Sequence, residues 1–566
     1  MKMKTALLGA AAAFAFAPMA QAERGADGHV NVIYWQAPSI LNPFLSGGTK
    51  DVESASIILE PLARYDDTGV LVPYLAQEIP TLDNGGVSED LTTITWKLKE
   101  GLLWSDGSAV TSADAVFTWS YCTHPEGGCA QLSKYNGVSN VEAVDDLTIK
   151  ITFADAQPNP YGPMVGGQSP IIQKAQFENC LGAKAPECTD ANFGPIGTGP
   201  FKVVEFRTND VIQLEANPNY RDPAKPAFAT MTFKGGGDAE AAGRAVLETG
   251  EFDYAWNLQL APSVIASMAA AGKGQAVSAF GTLVERIEVN MTWADPSLPE
   301  GERSTAKHPH PILSDLRVRK ALSMAIDRET LVEIGYGQAG RVTCNLVPAP
   351  AAYASPNTDC FEQDIEGAKA LLEEAGWKVG AGGIREKDGM KLKLLYQTST
   401  NAVRQDFQAL IKQWWSEIGV DAELKNVAAS VFFGGDPGSP DTFEKFYADV
   451  EMYANNFDGT DPQSYLASYQ CDKAPRPETQ WQGENINRFC DPAYDALVVE
   501  LTRTGVVAER QALAIRLNEM LTKDSYTIIP LVHRGRVSAH SNSLGGVVLN
   551  TWDSELWNVA DWYRIK

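Results

Sequence analysis

The chain of 566 residues holds 71 acidic and 47 basic side chains, for a formal charge of −24. That acidity keeps a protein soluble and argues against nucleic acid or an anionic membrane as partner, leaving only a weak preference for cationic ligands. At this length, with 44% hydrophobic residues, the chain can build several cores, roughly three to four domains at ~150 residues each.

The first residues read as an export signal. Lys2 and Lys4 precede an apolar run from Ala6 to Ala17, followed by Pro18 and Ala20-Gln21-Ala22. This is a charged start, a short apolar segment and an A-x-A cleavage site. The run falls short of the ~20 residues of a membrane span, so residues 1–22 are expected to be removed before Glu23. The first cysteine is Cys122. No lipid anchor is therefore expected, and the mature protein should be free and soluble outside the cytoplasm.

Val30 to Trp35 is a mostly apolar strand, and Arg64 to Gly69 a hairpin signal. Thr93 to Lys99 alternates, with Ile94, Trp96 and Leu98 on one face, as do Leu147, Ile149, Ile151 and Phe153. Thr111 and Asp114 form a capping-box pattern that opens a helix through Trp119. Residues 59–189 thus read as an α+β unit. Two strands, Val203–Phe206 and Val211–Ala216, follow, and Gly250 to Trp256 places a short strand ending at Trp256 and Asn257. From about 284 helices alternate with strands. Val318, Ala321, Leu322 and Ala325 follow helical spacing behind a Ser314 cap, and Asp327 starts another helix. Ala368 to Ala375 and Val403 to Ile418 line two more, closed by Gly376 and Gly419. The tail from Thr527 is again strand-like.

The eight cysteines fall into neighbouring pairs, 122/129, 180/188, 344/360 and 471/490. Short loops close at low entropic cost, so four local disulfides are the simplest scheme for an exported chain. Zinc is the poorer alternative, since there is no C-x-x-C and only His124 lies near a pair. Gly335, Gly337 and Gly340 spell G-x-G-x-x-G, but they follow a helical run where a dinucleotide site needs a strand. A helix stop is expected there. No G-x-S-x-G or H-E-x-x-H occurs. A hydrolase using paired carboxylates stays open as an alternative, because such pairs leave no sequence signature.

The stretch Asp449 to Pro462, DVEMYANNFDGTDP, draws the rest together. Val450, Met452 and Ala454 alternate with Asp449, Glu451 and Tyr453 as in a strand with two unlike faces. Asn455, Asn456, Asp458 and Asp461 then gather amides and carboxylates around Gly459. A ligand cleft is expected at this point.

In this order, ILEPLARYDDTG, ITWKLKEGLLWSDGSAVTSADAVFTW, GTGPFKVVEFRTNDVIQLEANPNY, TGEFDYAW, LRVRKALSMAIDRETLV and AKALLEEAGW resemble the family 5 extracellular solute-binding proteins. These are the peptide, opine and nickel group that feeds ABC importers. The resemblance implies an α/β, two-lobed periplasmic-binding-protein fold (type II, cluster C-like) with an extra α+β domain inserted in the first lobe. Mapped here, lobe I takes residues 23–58, 190–283 and 530–566, the inserted domain 59–189, and lobe II 284–529. It also implies a periplasmic monomer without cofactor or catalysis, which closes around a small peptide or similar solute and docks on permease subunits at the inner membrane. An oligosaccharide or opine-like ligand is the alternative. In peptide-binding relatives an aspartate four residues before the proline of an acidic-Pro pair holds the ligand's ammonium, a place filled here by Asp458. Asp458 and Asp461 also suit simple turn capping. Several relatives carry Arg and Trp where this chain has Met452 and Asn455, so this strand supplies no carboxylate-binding arginine. Asn455, Asn456 and Asn257 suit amides or hydroxyls, and Trp35 and Trp256 could stack on a sugar.

Overall fold

The computed structural model describes residues 23–566. The expected leader, residues 1–22, lies outside the described residues.

The chain folds into two lobes, each built on one sheet. The first is seven-stranded, ordered Gly274–Ala279, Arg536–Ser541, Tyr254–Ala255, His29–Tyr34, Thr230–Gly235, Val211–Ala216 and Phe201–Arg207. His29–Tyr34 runs parallel to both of its neighbours. Val30, Val32 and Tyr34 point into a core with Phe201, Met231, Phe233 and Trp562, and helix Ala239–Leu247 helps cover the opposite face.

The second sheet has six strands, ordered Gly340–Val342, Ile528–Arg534, Val284–Val289, Val450–Asn455, Lys393–Ser399 and Asp421–Val427. Helices Leu316–Met324, Ile365–Glu374 and Ala402–Glu417 lay Val318, Leu322, Leu372, Phe407, Ile411 and Trp415 on it. The helical spacings are therefore the buried stripes of real helices. Gly376 and Gly419 adopt φ of 89° and 86° just past two of them, the left-handed turn that ends a helix. The cap of Leu316–Met324 is Asp315, whose carboxylate accepts from the Arg317 amide, and not Ser314. Gly335 closes helix Arg328–Gly335 and Gly340 opens a strand, so G-x-G-x-x-G is a helix stop.

A third core gathers Phe44, Leu45 and residues between Leu59 and Ala191 around the antiparallel strands Thr93–Lys97, Thr148–Phe153 and Val138–Asp145 and helix Ser112–Cys122. The Thr111–Asp114 box is formed. Disulfides join Cys122–Cys129, Cys180–Cys188, Cys344–Cys360 and Cys471–Cys490.

The chain passes between the two large sheets twice. One crossing runs through 280–283, between strands Gly274–Ala279 and Val284–Val289; the other is Gly535. Arg534 donates its amide to the Leu283 carbonyl at 3.1 Å, so the crossings lie side by side. Ile529, Leu531 and Val532 pack in the second sheet's core. The return to the first lobe therefore falls at Gly535, not at the expected residue 530.

Candidate functional site

Strand Val450–Asn455 lies inside the six-stranded sheet, paired antiparallel with Val284–Val289 and parallel with Lys393–Ser399. Both of its faces are covered, so Glu451 and Tyr453 are buried as fully as Val450 and Met452. The expected polar face is absent here because Glu451 turns inward and accepts from Gln397 at 2.8 Å.

Beyond the strand, the chain bends into the space between the lobes. Thr282, in the first crossing, holds the next turn by accepting from the Phe457 amide at 3.1 Å and donating to its carbonyl at 2.9 Å. Gly459 has φ 82°, and a Cβ there would come within 2.6 Å of the Tyr65 ring, so both conformation and space require glycine.

Two adjoining chambers lie in the cleft and share Gly47, Phe443, Tyr453, Asn455 and Asn456. The first is walled by Asp458, Asp461, Glu444 and Glu484 from the second lobe and by Tyr65, Lys134 and Gln168 from the Leu59–Ala191 unit. Asp458 is half-buried, and its Oδ2 accepts one long bond, 3.4 Å, from the Gln168 amide. Burial lifts its carboxyl to about 6, with Asp553 adding to the rise and Lys134 and Arg536 opposing it. No Lys, Arg or His among the described residues stands within ion-pair distance of it. Asp461 also lines this chamber, but its carboxylate is taken by Arg510 at 2.6 Å and by the Gln463 amide at 2.9 Å. Glu484 accepts from the Ser133 amide and hydroxyl at 2.9 and 2.7 Å, joining the two walls. Beneath the chamber a buried Arg286–Glu288 pair, 2.7 Å, donates to the hydroxyls of Tyr453, Tyr465 and Tyr469. Those three rings form much of its floor.

The second chamber is lined by three arginines. Arg404 binds Glu285 at 2.6 Å. Burial would raise that carboxyl, but the arginine holds it below its usual range. Arg534 donates to Asn257 Oδ1 at 2.8 Å. Arg536 meets Glu53 at 3.0 Å; burial still lifts Glu53 to about 7. Trp256 and Asn257 line this chamber as well. Trp256 is already stacked on Tyr34, centroids 4.5 Å apart.

The structure thus brings Asp458, Asn455, Asn456, Asp461, Trp256 and Asn257 to one cleft. Trp35 is elsewhere: its buried indole donates to the Asn257 carbonyl at 2.9 Å, and its ring borders a different cavity with Asn401 and Asp238. Sequence reasoning missed Glu444 and the arginines. A single arginine among apolar residues, as Arg404 after Val403, reads as a solvated position. The sharper signal was Arg534-Gly535-Arg536, charge breaking an apolar strand. Among the described residues, no group of three or more His, Cys, Asp or Glu is placed to hold a metal ion.

The family model for "Bacterial extracellular solute-binding proteins, family 5 Middle" matches residues 70–475. The chain belongs to this family. It is 27% identical over 395 residues to the oligopeptide-binding protein AppA of Bacillus subtilis, covering 69% of this chain and 67% of that protein. It is 28% identical over 389 residues to the nickel-binding periplasmic protein of Escherichia coli, covering 68% of each. In three dimensions it is similar to Bacillus subtilis AppA in complex with a nonapeptide, with TM-score 0.81 and 22% identity, over 96% of this chain and 100% of the other. Relatives of such different ligands leave the choice of solute to the site itself.

Proposed function

We propose that this family 5 member is the periplasmic receptor of an ABC importer, capturing a small peptide between its lobes and handing it to a membrane permease. In this reading residues 1–22 direct export, the mature chain works as a monomer, and it catalyses nothing. The lobes turn about the crossings at 280–283 and Gly535, and the Leu59–Ala191 unit supplies the far wall.

Asp458 carries the reading. A carboxylate desolvated at a domain interface needs a cation to offset its lost hydration, and this one has only a long backbone hydrogen bond. A peptide's α-ammonium meets that need, and the neighbouring amides of Asn455 and Asn456 suit its backbone groups. A sugar or opine-like ligand stacked on tryptophan finds less support, since Trp35 lines neither chamber and Trp256 is already stacked on Tyr34. Native mass spectrometry of protein taken from the periplasm is expected to show co-purified peptides, and Asp458→Asn to weaken their binding by about tenfold or more. Turnover of peptides or glycosides would sink the receptor reading; unchanged affinity in the variant would remove the ammonium anchor.

A further inference from the structure

Every cation lining the two chambers has an acid to answer to. Arg404 faces Glu285, Arg536 faces Glu53, and Arg534 lies 3.9 Å from Glu285. Lys50 holds Asp51 at 2.7 Å. Lys134 acts on both Asp458 and Glu484.

The acids are not matched in the same way. Asp461 has Arg510, and Glu484 has both donors of Ser133. Glu444 has no cation within ion-pair distance among the described residues; the Gly47 amide and its own amide reach its carboxyl, and Lys50 and Arg488 act on it only from further off. It lines the first chamber beside Gly47, where the two chambers meet. The residue is 3% exposed, and its Oε2 has no hydrogen-bond partner. Burial pushes its carboxyl up to about 8; Asp51 adds to the rise, while its own amide, Lys50 and the Gly47 amide oppose it. The Lys50 charge is shared with Asp51, and the Arg488 charge is shared with Glu451. A buried carboxylate oxygen without a donor, in a residue that lines a cavity, costs stability unless a ligand settling against that wall brings a charge or a donor to it.

We infer that Glu444 receives a second cationic group of the ligand, so that the preferred solute is a small peptide bearing a basic side chain in addition to its α-ammonium. The peptide part of this statement rests on the function proposed above; the second cation rests on Glu444 alone. Two carboxylates in one chamber, Asp458 and Glu444, then divide the work. Asp458 takes the charge that every peptide has, and Glu444 discriminates among side chains. Discrimination of this kind is strong, because a neutral side chain leaves the buried acid unanswered.

The test compares lysine-containing tripeptides (Lys-Ala-Ala, Ala-Lys-Ala and Ala-Ala-Lys) with their norleucine counterparts by calorimetric titration at neutral pH. The wild-type protein is expected to bind at least one lysine peptide about tenfold or more tighter than its norleucine twin. Glu444→Gln should erase that difference without weakening the norleucine peptide. Asp458→Asn should weaken both. Equal affinity for the two peptides in the wild type overturns the inference, as does a preference that survives in Glu444→Gln. Because burial keeps this carboxyl largely protonated in the free protein at neutral pH, its isosteric replacement by glutamine should leave the variant melting close to the wild type, and Glu444→Ala serves as a second replacement if the glutamine variant does not fold. Cadaverine and n-pentylamine are added as peptide-free probes of melting temperature. If no peptide binds but cadaverine stabilises the wild type more than Glu444→Gln, the second-cation site stands and the peptide reading falls. If neither peptides nor cadaverine bind, both fall.

Discussion

The two chambers of the cleft handle charge in opposite ways. In the second, three arginines meet carboxylates contributed by the protein, from Glu53 in an early helix, Glu285 in a central strand and Glu555 near the end of the chain. In the first, Asp458 and Glu444 line the wall with no cation within ion-pair distance among the described residues. Ion pairs closed within the fold hold the lobes in shape, while charges left open are available to a ligand. A lining charge therefore says little about binding until its partner has been looked for.

The largest effect is expected where that contrast is broken from the closed side. Arg536→Met strands Glu53 and Glu555, both buried, without their cation. Breaking one side of a buried pair typically costs about 3–5 kcal/mol, so chemical denaturation should show a loss of that order. Asp458→Asn should lose ligand affinity with unchanged or slightly raised stability of the free protein. If the two variants behave alike, the distinction between the chambers fails.

Next in size is the response to pH. Glu444 and Glu53 have folded-state values raised from 4.5 to about 8 and about 7, and Asp458 from 3.8 to about 6. The folded chain binds more protons than the unfolded chain between those limits, so these groups lower stability as pH rises from about 5 to about 8. The free protein should melt higher at the acid end of that window. Glu444→Gln should flatten the upper part of the slope, and a slope unchanged by it would show that this carboxyl is ionised at little cost. The smallest effect is expected for Trp35→Phe, which removes one buried hydrogen bond worth about 1 kcal/mol and leaves ligand affinity within about twofold, because the ring lines neither chamber.

Much of the scaffold was legible in the sequence because it rests on local periodicity. Val318, Leu322, Phe407 and Ile411 spell buried stripes whatever they pack against. The turn after Asn455 was legible for the same reason, since polar residues and Gly459 break a strand. The burial of Glu451 was not, because the alternation of a strand does not tell whether its second face meets water or other protein. Nor were the charge pairs: Arg536 finds Glu53 across 483 positions and Arg404 finds Glu285 across 119. Such pairings exist only after the fold is complete. Glu444, in a loop among Phe443, Lys445 and Phe446, carried no pattern at all. Its meaning lies in the donor missing from its Oε2.

The double hydrogen bond from Thr282 to Phe457 has a mechanical consequence. It fastens the residue before Asp458 to one of the two crossings between the sheets, so in the proposed closure the carboxylate would sit beside the pivot at the end of a short lever arm. Rotation of one lobe moves such a group little, while the opposite wall sweeps across the cleft. On the proposed function, an ammonium held by Asp458 would therefore be engaged before closure begins, and the angle still to be turned would be spent on what surrounds the rest of the ligand.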